Sequence, residues 1–401
     1  MTDLSSKAFQ TRAVHAGERP ARPDYTPVTT PITSAVGYLY PSMDDMDAVF
    51  EGTRSGYVYL RYANPTVAAF EAAVASLEGA EAAQAYSSGM AAIHAALLAS
   101  GVKAGSTVVA ALDVYGATFT LLQRLFSSLG VTAKMVDIAR LDDVESALKE
   151  GNVTALMAET ISNPLLKVAD LPALAELAHR YGAQFILDST FASPYLITPL
   201  AQGVDFVVHS ATKYLSGHGD VLAGVIATSA ANRARLFELN KLVGSVLGPF
   251  EAWLALRGLK TLPLRVRQQV SNAQQIAEWL SDQPSIARVV YPGLSDHPQH
   301  ALAERLFEGR GFGGVLSFEI AGADKAKVFR FMEALSVCLP ATTLGDIYTL
   351  VLHPATASHR SLTAEERARV GISDGLLRLS AGIEAPEDIL ADLQSALRRI
   401  A

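Results

Sequence analysis

Apolar residues along this chain follow two rhythms, and the change between them marks its organisation. From about residue 107 to residue 208, short β-branched or apolar runs alternate with amphipathic stretches. The runs near 107–111, 131–136, 153–159, 184–188 and 204–208 have the length and continuity of strands buried on both faces. The stretches near 116–129, 141–150 and 171–181 have helical spacing, and Gly130, Gly151 and Gly182 stand where helices end in a left-handed residue. Strand and helix alternating over this length predict an α/β fold with a doubly wound, mostly parallel sheet.

The flanks differ. Residues 1–63 carry Pro, Gly, Thr and Tyr without a sustained helical period, which predicts an extended arm, either laid against a partner subunit or loosely ordered. Asn64 then offers an N-cap, Pro65 a first helical position, and Phe70, Val74 and Leu77 share one face until Gly79. Residues 251–282 read as one long helix that Pro263 must kink or interrupt. Beyond it, strands near 314–320 and 376–381 and helices near 323–335 and 386–399 predict a smaller α+β C-terminal domain. The expected division is an arm over 1–63, a large α/β domain over 64–258 and the smaller domain over 259–401.

Composition narrows the classes. The net charge of −7 comes with no basic run, which argues against nucleic-acid or anionic-membrane partners. One cysteine, Cys338, rules out an internal disulfide or thiolate cluster, and its apolar neighbours predict a small buried group. His297, His300, His353 and His359 lack a spacing that closes a metal site, so no metal is expected. No apolar run approaches the ~20 residues of a membrane span, and the first residues lack the order of a secretion signal. A soluble cytoplasmic protein is expected.

The candidate chemistry gathers at strand ends. The run 204–208 leads into Ser210, Thr212 and Lys213, then the Gly217-His218-Gly219 turn. The run 184–188 delivers Asp188 to the same sheet edge, where open α/β sheets place ligands. One amine, one carboxylate and several hydroxyls at adjacent strand ends meet the needs of pyridoxal 5'-phosphate: a lysine to carry it, an acid for its ring nitrogen, and hydroxyls and amides for its phosphate. Ser87, Ser88 and Gly89 begin an Ala-rich helix whose free amides favour an anion, although serine before a helix is more often only a cap. Tyr59 and Arg61 alternate before Asn64 and suit a phosphate. Arg378, inside an apolar strand, needs a partner: a substrate carboxylate, or a structural ion pair. No GxGxxG or GxxxxGK[ST] follows any strand, which weakens nucleotide-binding alternatives.

These segments carry a resemblance. HSATKYLSGHGD at 209–220, RYANPT at 61–66, SSGMAAI at 87–93, YGATF at 115–119, DSTFASP at 188–194, RGLKTL at 257–262, YPGL at 291–294, HPQH at 297–300 and LRLSAGIE at 377–384 occur in one order. In that set the chain resembles, along nearly its whole length, the Cys/Met-metabolism family of pyridoxal-phosphate enzymes: cystathionine γ-synthase, cystathionine γ-lyase, methionine γ-lyase and the O-acylhomoserine sulfhydrylases. The resemblance implies the fold type I, aspartate-aminotransferase-like transferase fold. It implies that Lys213 holds the cofactor and shuttles protons, Asp188 pairs with the ring nitrogen, and Tyr115 stacks on the ring. Ser88, Gly89, Met90, Ser210 and Thr212 would bind the phosphate, joined by Tyr59 and Arg61 from a partner subunit. That arrangement means a shared active site and a homotetramer built as a dimer of dimers. Asn163 and Arg378 would hold the substrate carboxylate, with Thr343 and Thr342 beside them.

Departures from the family pattern bear on substrate. Ser189 replaces the usual Asn, and Thr343 the usual Ser before Leu344 and Gly345. Cystathionine-handling members usually carry Glu where this chain has Thr342, and Arg where it has Thr120. A pocket with Thr342, Thr120 and Ala117 favours a small uncharged γ-substituent, because burying a zwitterionic group without charged partners is unfavourable. Methionine γ-lyases usually have Cys in place of Ala117. The expectation is α,γ-elimination of the methionine γ-lyase kind, giving 2-oxobutanoate, ammonia and a thiol. The alternatives are γ-replacement, as in O-acetyl- or O-succinylhomoserine sulfhydrylase or cystathionine γ-synthase, cystathionine γ-lyase activity, and more remotely a non-catalytic cofactor-binding regulator.

Overall fold

Local signals decide the entry to the large domain. The Asn64 side chain caps the helix Pro65–Glu78 by accepting from the Thr66 N–H at 2.9 Å, and Gly79 closes it at φ +66°. The helix buries Phe70, Val74 and Leu77, the face its spacing predicts. The protein is described here by a computed structural model, which covers residue 4 and residues 6–18, 26–360 and 363–400. Part of the predicted arm therefore lies outside the described residues. Its described part contains two short helices, Phe9–His15 and Met43–Phe50, that the sequence reading did not expect.

The main sheet has seven strands: β1 (Ala82–Tyr86), β2 (Thr107–Ala111), β3 (Thr132–Val136), β4 (Val153–Glu159), β5 (Gln184–Asp188), β6 (Phe206–Ser210) and β7 (Gly224–Thr228). Their order is β1-β7-β6-β5-β4-β2-β3. The pairs from β3 through β6 are parallel, and β7 runs antiparallel to both neighbours. The sequence reading missed β1 and β7 and placed β6 two residues early. Adjacent residues serve opposite cores: Leu187 and Val207 join one buried cluster, Ile186 and Val208 the other. Burial on both faces is why these strands read as unbroken apolar runs. Each large side chain so buried, such as Phe185 or Phe206, contributes about 1.5–3 kcal/mol.

After β2 the chain moves outward to β3 and returns on the other side as β4. The segments leaving β2 and β4 therefore diverge, which opens a crevice at the carboxyl ends of the strands. Tyr115 follows β2 there, and Glu159, Asp188 and Ser210 end β4, β5 and β6.

The long helix expected over 251–282 is two helices, Pro249–Leu259 and Leu262–Ser281, with Pro263 in the first turn of the second. Proline is tolerated there because that N–H has no intrahelical partner. The stretch 116–129 also divides, into an α-helical turn Gly116–Thr120 and a π-helical turn Leu121–Phe126. The second sheet comprises β8 (Ile286–Val290), β9 (Val315–Ile320), β10 (Leu339–Pro340), β11 (Leu350–Leu352) and β12 (Leu376–Ser380), in the order β10-β11-β12-β9-β8. It carries Arg378 on β12, opposite Leu352 on β11. Among the described residues no helix is long and apolar enough to cross a membrane, and Cys338 is buried and unpaired.

Candidate active site

A cavity of about 450 Å³ lies at the carboxyl edge of the main sheet, closed on one side by the C-terminal domain. Eleven of the sequence-predicted residues line it: Ser88, Gly89, Met90, Tyr115, Asn163, Asp188, Ser210, Thr212, Lys213, Thr342 and Arg378.

Its floor comes from strand ends and one helix start. Ser88 caps the helix Gly89–Ala99, its side chain accepting from the Ala91 N–H at 3.1 Å, and Gly89 and Met90 occupy the first turn, whose free amides suit an anion. The contact with β6 is close: a Cβ on Gly89 would stand 2.8 Å from the Ser210 Cβ. Thr190 joins two strands. Its N–H and hydroxyl donate to Asp188 Oδ1 at 3.0 and 2.5 Å, and its oxygen accepts from the Ser210 N–H at 2.8 Å. Thr212 is held against Ala223, donating to its carbonyl at 3.2 Å and accepting from its N–H at 3.0 Å.

Lys213 reaches across the cavity and donates from Nζ to Thr343 Oγ1 at 2.7 Å. Thr343 thus touches the lysine instead of forming part of the cavity lining. Burial, and then the nearby Arg378 guanidinium, bring the Lys213 ammonium down to about 8, so a minority is neutral amine near physiological pH, far more than in a hydrated lysine. The turn behind it requires glycine: Gly217 has φ +70°, and a Cβ there would fall 1.9 Å from Arg265 Nη1. Arg265 is itself buried and braces the lysine segment, donating to the Tyr214 carbonyl at 2.9 Å. The sequence reading did not find Arg265, since nothing local marks a contact 51 residues away.

Two carboxylates, the buried Glu159 and the half-buried Asp188, sit side by side on adjacent strands. Burial pushes Asp188 up, partly offset by Thr190, and it pushes Glu159 well up, reinforced by Asp188. A cationic ring nitrogen beside Asp188 is the complement that such a pair lacks. Glu159 was missed in the sequence, where it read only as the polar end of a strand. Its Oε1 accepts the Tyr115 N–H at 2.6 Å, so it fixes the loop that presents the half-exposed tyrosine ring.

On the wall, Arg378 is 3% exposed and donates from Nη1 to Asn163 Oδ1 at 3.2 Å and from Nη2 to the Thr343 carbonyl at 2.9 Å. Its Nε has no hydrogen-bond partner among the described residues. Burial lowers its pKa to about 10, which leaves it cationic at neutral pH. A fixed cation with a spare donor is ready for a carboxylate. The remaining surface is largely apolar: Ile93, Ile161, Phe191, Leu222, Leu344, Leu352 and Ala357. Thr120 and Ala117, expected to shape this region, do not line the cavity; the Thr120 hydroxyl turns back to the Gly116 carbonyl at 2.9 Å.

Tyr59 and Arg61 also lie outside the cavity of their own chain. The Arg61 guanidinium stacks over the Tyr59 and Tyr62 rings at 5.4 and 5.2 Å and donates to the Lys241 carbonyl. Ser189 accepts from the Thr160 hydroxyl at 2.9 Å, on the neighbouring strand end.

The family model described as Cys/Met metabolism PLP-dependent enzyme matches residues 10–398. The chain belongs to that family. Its cofactor is accordingly pyridoxal 5'-phosphate, and the residues present fit it: an amine of lowered pKa, an acid pair that a cation would complement, and a helix start flanked by serines. An L-methionine gamma-lyase of Fusobacterium nucleatum subsp. polymorphum is 41% identical over 393 residues, 97% of this chain and 98% of that protein. An O-succinylhomoserine sulfhydrylase of Pseudomonas aeruginosa is also 41% identical, over 99% of this chain and 96% of its own. The crystal structure of metB from Corynebacterium glutamicum superposes with a TM-score of 0.93 at 36% identity, covering 100% of both chains. Overall identity does not separate lyase from sulfhydrylase, so the pocket has to.

Proposed function

We propose that this family member catalyses α,γ-elimination from L-methionine or a homoserine derivative with a small uncharged γ-substituent. Methionine and water would give 2-oxobutanoate, ammonia and methanethiol. One observation carries the reading: beyond Arg378, the substrate side of the cavity presents Thr342, Ile161, Phe191, Leu222, Leu344, Leu352, Ala357 and Ser358, and among the described residues of the chain none of these offers a charge to a distal ammonium or carboxylate.

Arg378 and Asn163 would bind the substrate carboxylate, Arg378 through its spare Nε–H. The cofactor, carried on Lys213 with its ring nitrogen on Asp188, would supply an electron sink for charge developing at the substrate's α- and β-carbons. Lys213, neutral above about pH 8 and steered by Thr343, would remove the proton from Cα and then work at Cβ. Tyr115 or Lys213 would protonate the departing γ-substituent. Ser88, Gly89, Met90, Ser210 and Thr212 would hold the phosphate, with Tyr59 and Arg61 of a second copy. The active enzyme is then at least a dimer, and a homotetramer of paired dimers in our reading. Its place is the cytoplasm, in keeping with a single buried free thiol.

The test is an absorption spectrum of the purified enzyme followed by 2-oxo acid release from methionine, cystathionine and O-acetylhomoserine, with and without sulfide. A visible cofactor band with 2-oxobutanoate from methionine is expected. Oxo acid from cystathionine alone would overturn the apolar-pocket argument. O-acetylhomoserine consumed mainly with sulfide would make the protein a γ-replacement enzyme.

A further inference from the structure

A second concavity, of about 570 Å³, opens in the C-terminal domain and is lined by Lys325, Phe329, His353, Ala355, Thr356, Arg360, Arg367 and Asp374. It shares no residue with the cavity described above. Three full cations and one carboxylate face it, so it is electropositive at neutral pH. Arg367 pairs with Asp374 at 3.4 Å. Lys325 lies over the Phe329 ring at 5.2 Å. Among the described residues no carboxylate pairs with Lys325, nor with Arg360, whose side chain is exposed. Unlike cations scattered over a convex surface, these converge on one recess from three elements: the helices Lys325–Glu333 and Ala364–Arg369, and the segment following β11.

That segment is also the active-site wall seen from behind. His353, Ala355, Thr356 and Arg360 face the second concavity, while Ala357 and Ser358 between them face the first. The buried His353 ring pins the base of the segment, with Nδ1 at 3.0 Å from Thr356 Oγ1 and Nε2 at 3.0 Å from the Asp374 carbonyl. Leu352, just before it, lines the active site and pairs in register with Arg378. At the far end the Arg360 N–H donates to the Ala357 carbonyl at 3.3 Å, but its side chain has no hydrogen-bond or ion-pair partner among the described residues. A ligand bridging Arg360 to Lys325 and Arg367 would fasten it.

We propose that this concavity binds a small multivalent oxyanion, held by Arg360, Lys325 and Arg367, and that its occupant steadies the active-site wall from behind. Guanidinium groups suit phosphate or carboxylate oxygens in paired hydrogen bonds, and the ammonium adds a point charge. The volume exceeds that of an inorganic ion and leaves room for an organic acid or a phosphate ester.

The experiment uses the cofactor-loaded enzyme, so that the cofactor's own phosphate site is filled. Inorganic phosphate and citrate are each titrated by calorimetry in low-salt buffer, with wild type, Arg360→Ala and Lys325→Ala. The expected result is one saturable event per chain, weakened about tenfold or more in each variant, as loss of a charge-assisted hydrogen bond implies. Amide exchange over 353–360 slows on binding in wild type but not in Arg360→Ala, and KM for the amino-acid substrate falls with it. Tighter citrate identifies a polycarboxylate as the occupant and tighter phosphate a phosphorylated one; either supports the site. Absence of saturable binding to both probes overturns the proposal. So does affinity unchanged in both variants, or binding displaced by saturating amino acid, which would locate the anion at Arg378.

Discussion

The floor and the wall of the active site are built in opposite ways. The floor is assembled from ends of adjacent strands and a helix cap: Asp188, Thr190 and Ser210 are tied by bonds spanning 2 to 20 residues, and Ser88 caps its own helix. The wall is held at long range, Thr343 on Lys213 across 130 residues and Arg378 on Asn163 across 215. In the function proposed above, the floor carries the groups that hold the cofactor and the wall those that choose the amino acid. Cofactor chemistry would then be set by local structure, and substrate choice by contacts made at long range.

Variants that separate the two functions test this division. Lys213→Ala, on the floor, should have the largest effect: loss of the visible cofactor band and a fall in turnover of roughly 10³-fold or more, as removal of a combined carrier and proton-transfer group implies. Substantial remaining turnover would sink the mechanism. Arg378→Ala, on the wall, should keep the band and the fold yet lower kcat/KM for amino-acid substrates by roughly 10²–10³-fold, mainly through KM. Titrating the band against substrate concentration in both variants checks the contrast. Loss of the band in Arg378→Ala would show that wall and floor are not separable.

The floor also has a pH signature. Burial depresses the Lys213 pKa to about 8, so the reactive neutral amine is scarce below that pH and dominant above it. Loading of the cofactor-free enzyme, followed by growth of the visible band after mixing, should quicken about tenfold per pH unit on the acid side and level off above about 8. In a fully hydrated lysine the same rise would continue to about 10. A profile still rising there would mean that the wall does not desolvate the amine.

The same contrast governs what could be read from the sequence. Asn64, Pro65 and Gly79 bound their helix as expected because capping acts within a few residues. The parallel strands were visible as apolar runs because both faces are buried. β1 and β7 escaped notice: AAQAY looks like the tail of an Ala-rich stretch, and β7 gains its place by pairing with β6 and β1. Thr120 and Ala117 were expected in the pocket, but the turn Gly116–Thr120 carries them away from it. Glu159 and Arg265 act through contacts 44 and 51 residues away, which no local pattern signals. Leu352, Ala357 and Ser358 reach the cavity only because the second domain docks there, and Leu222 reaches it from the segment before β7.

Gly116 sits where floor meets wall, and its substitution should give the smallest and most specific effect. It follows Tyr115 and begins the turn Gly116–Thr120, so its backbone is ordinary for any residue and no left-handed strain is involved. What it provides is room: a Cβ there would stand 2.7 Å from the Ser358 carbonyl oxygen, closer than side chains tolerate against backbone. In Gly116→Ala one of the two segments has to yield. The tyrosine loop is fixed from behind by the Glu159 bond to the Tyr115 N–H, so displacement should fall on Ala357 and Ser358. Cofactor band and loading rate should then match wild type, while KM rises several-fold for an increment of about 1 kcal/mol. The small polar Gly116→Ser change adds the same Cβ and should behave alike. A weaker cofactor band with unchanged KM would place the displacement on the Tyr115 side, making the floor the more compliant of the two.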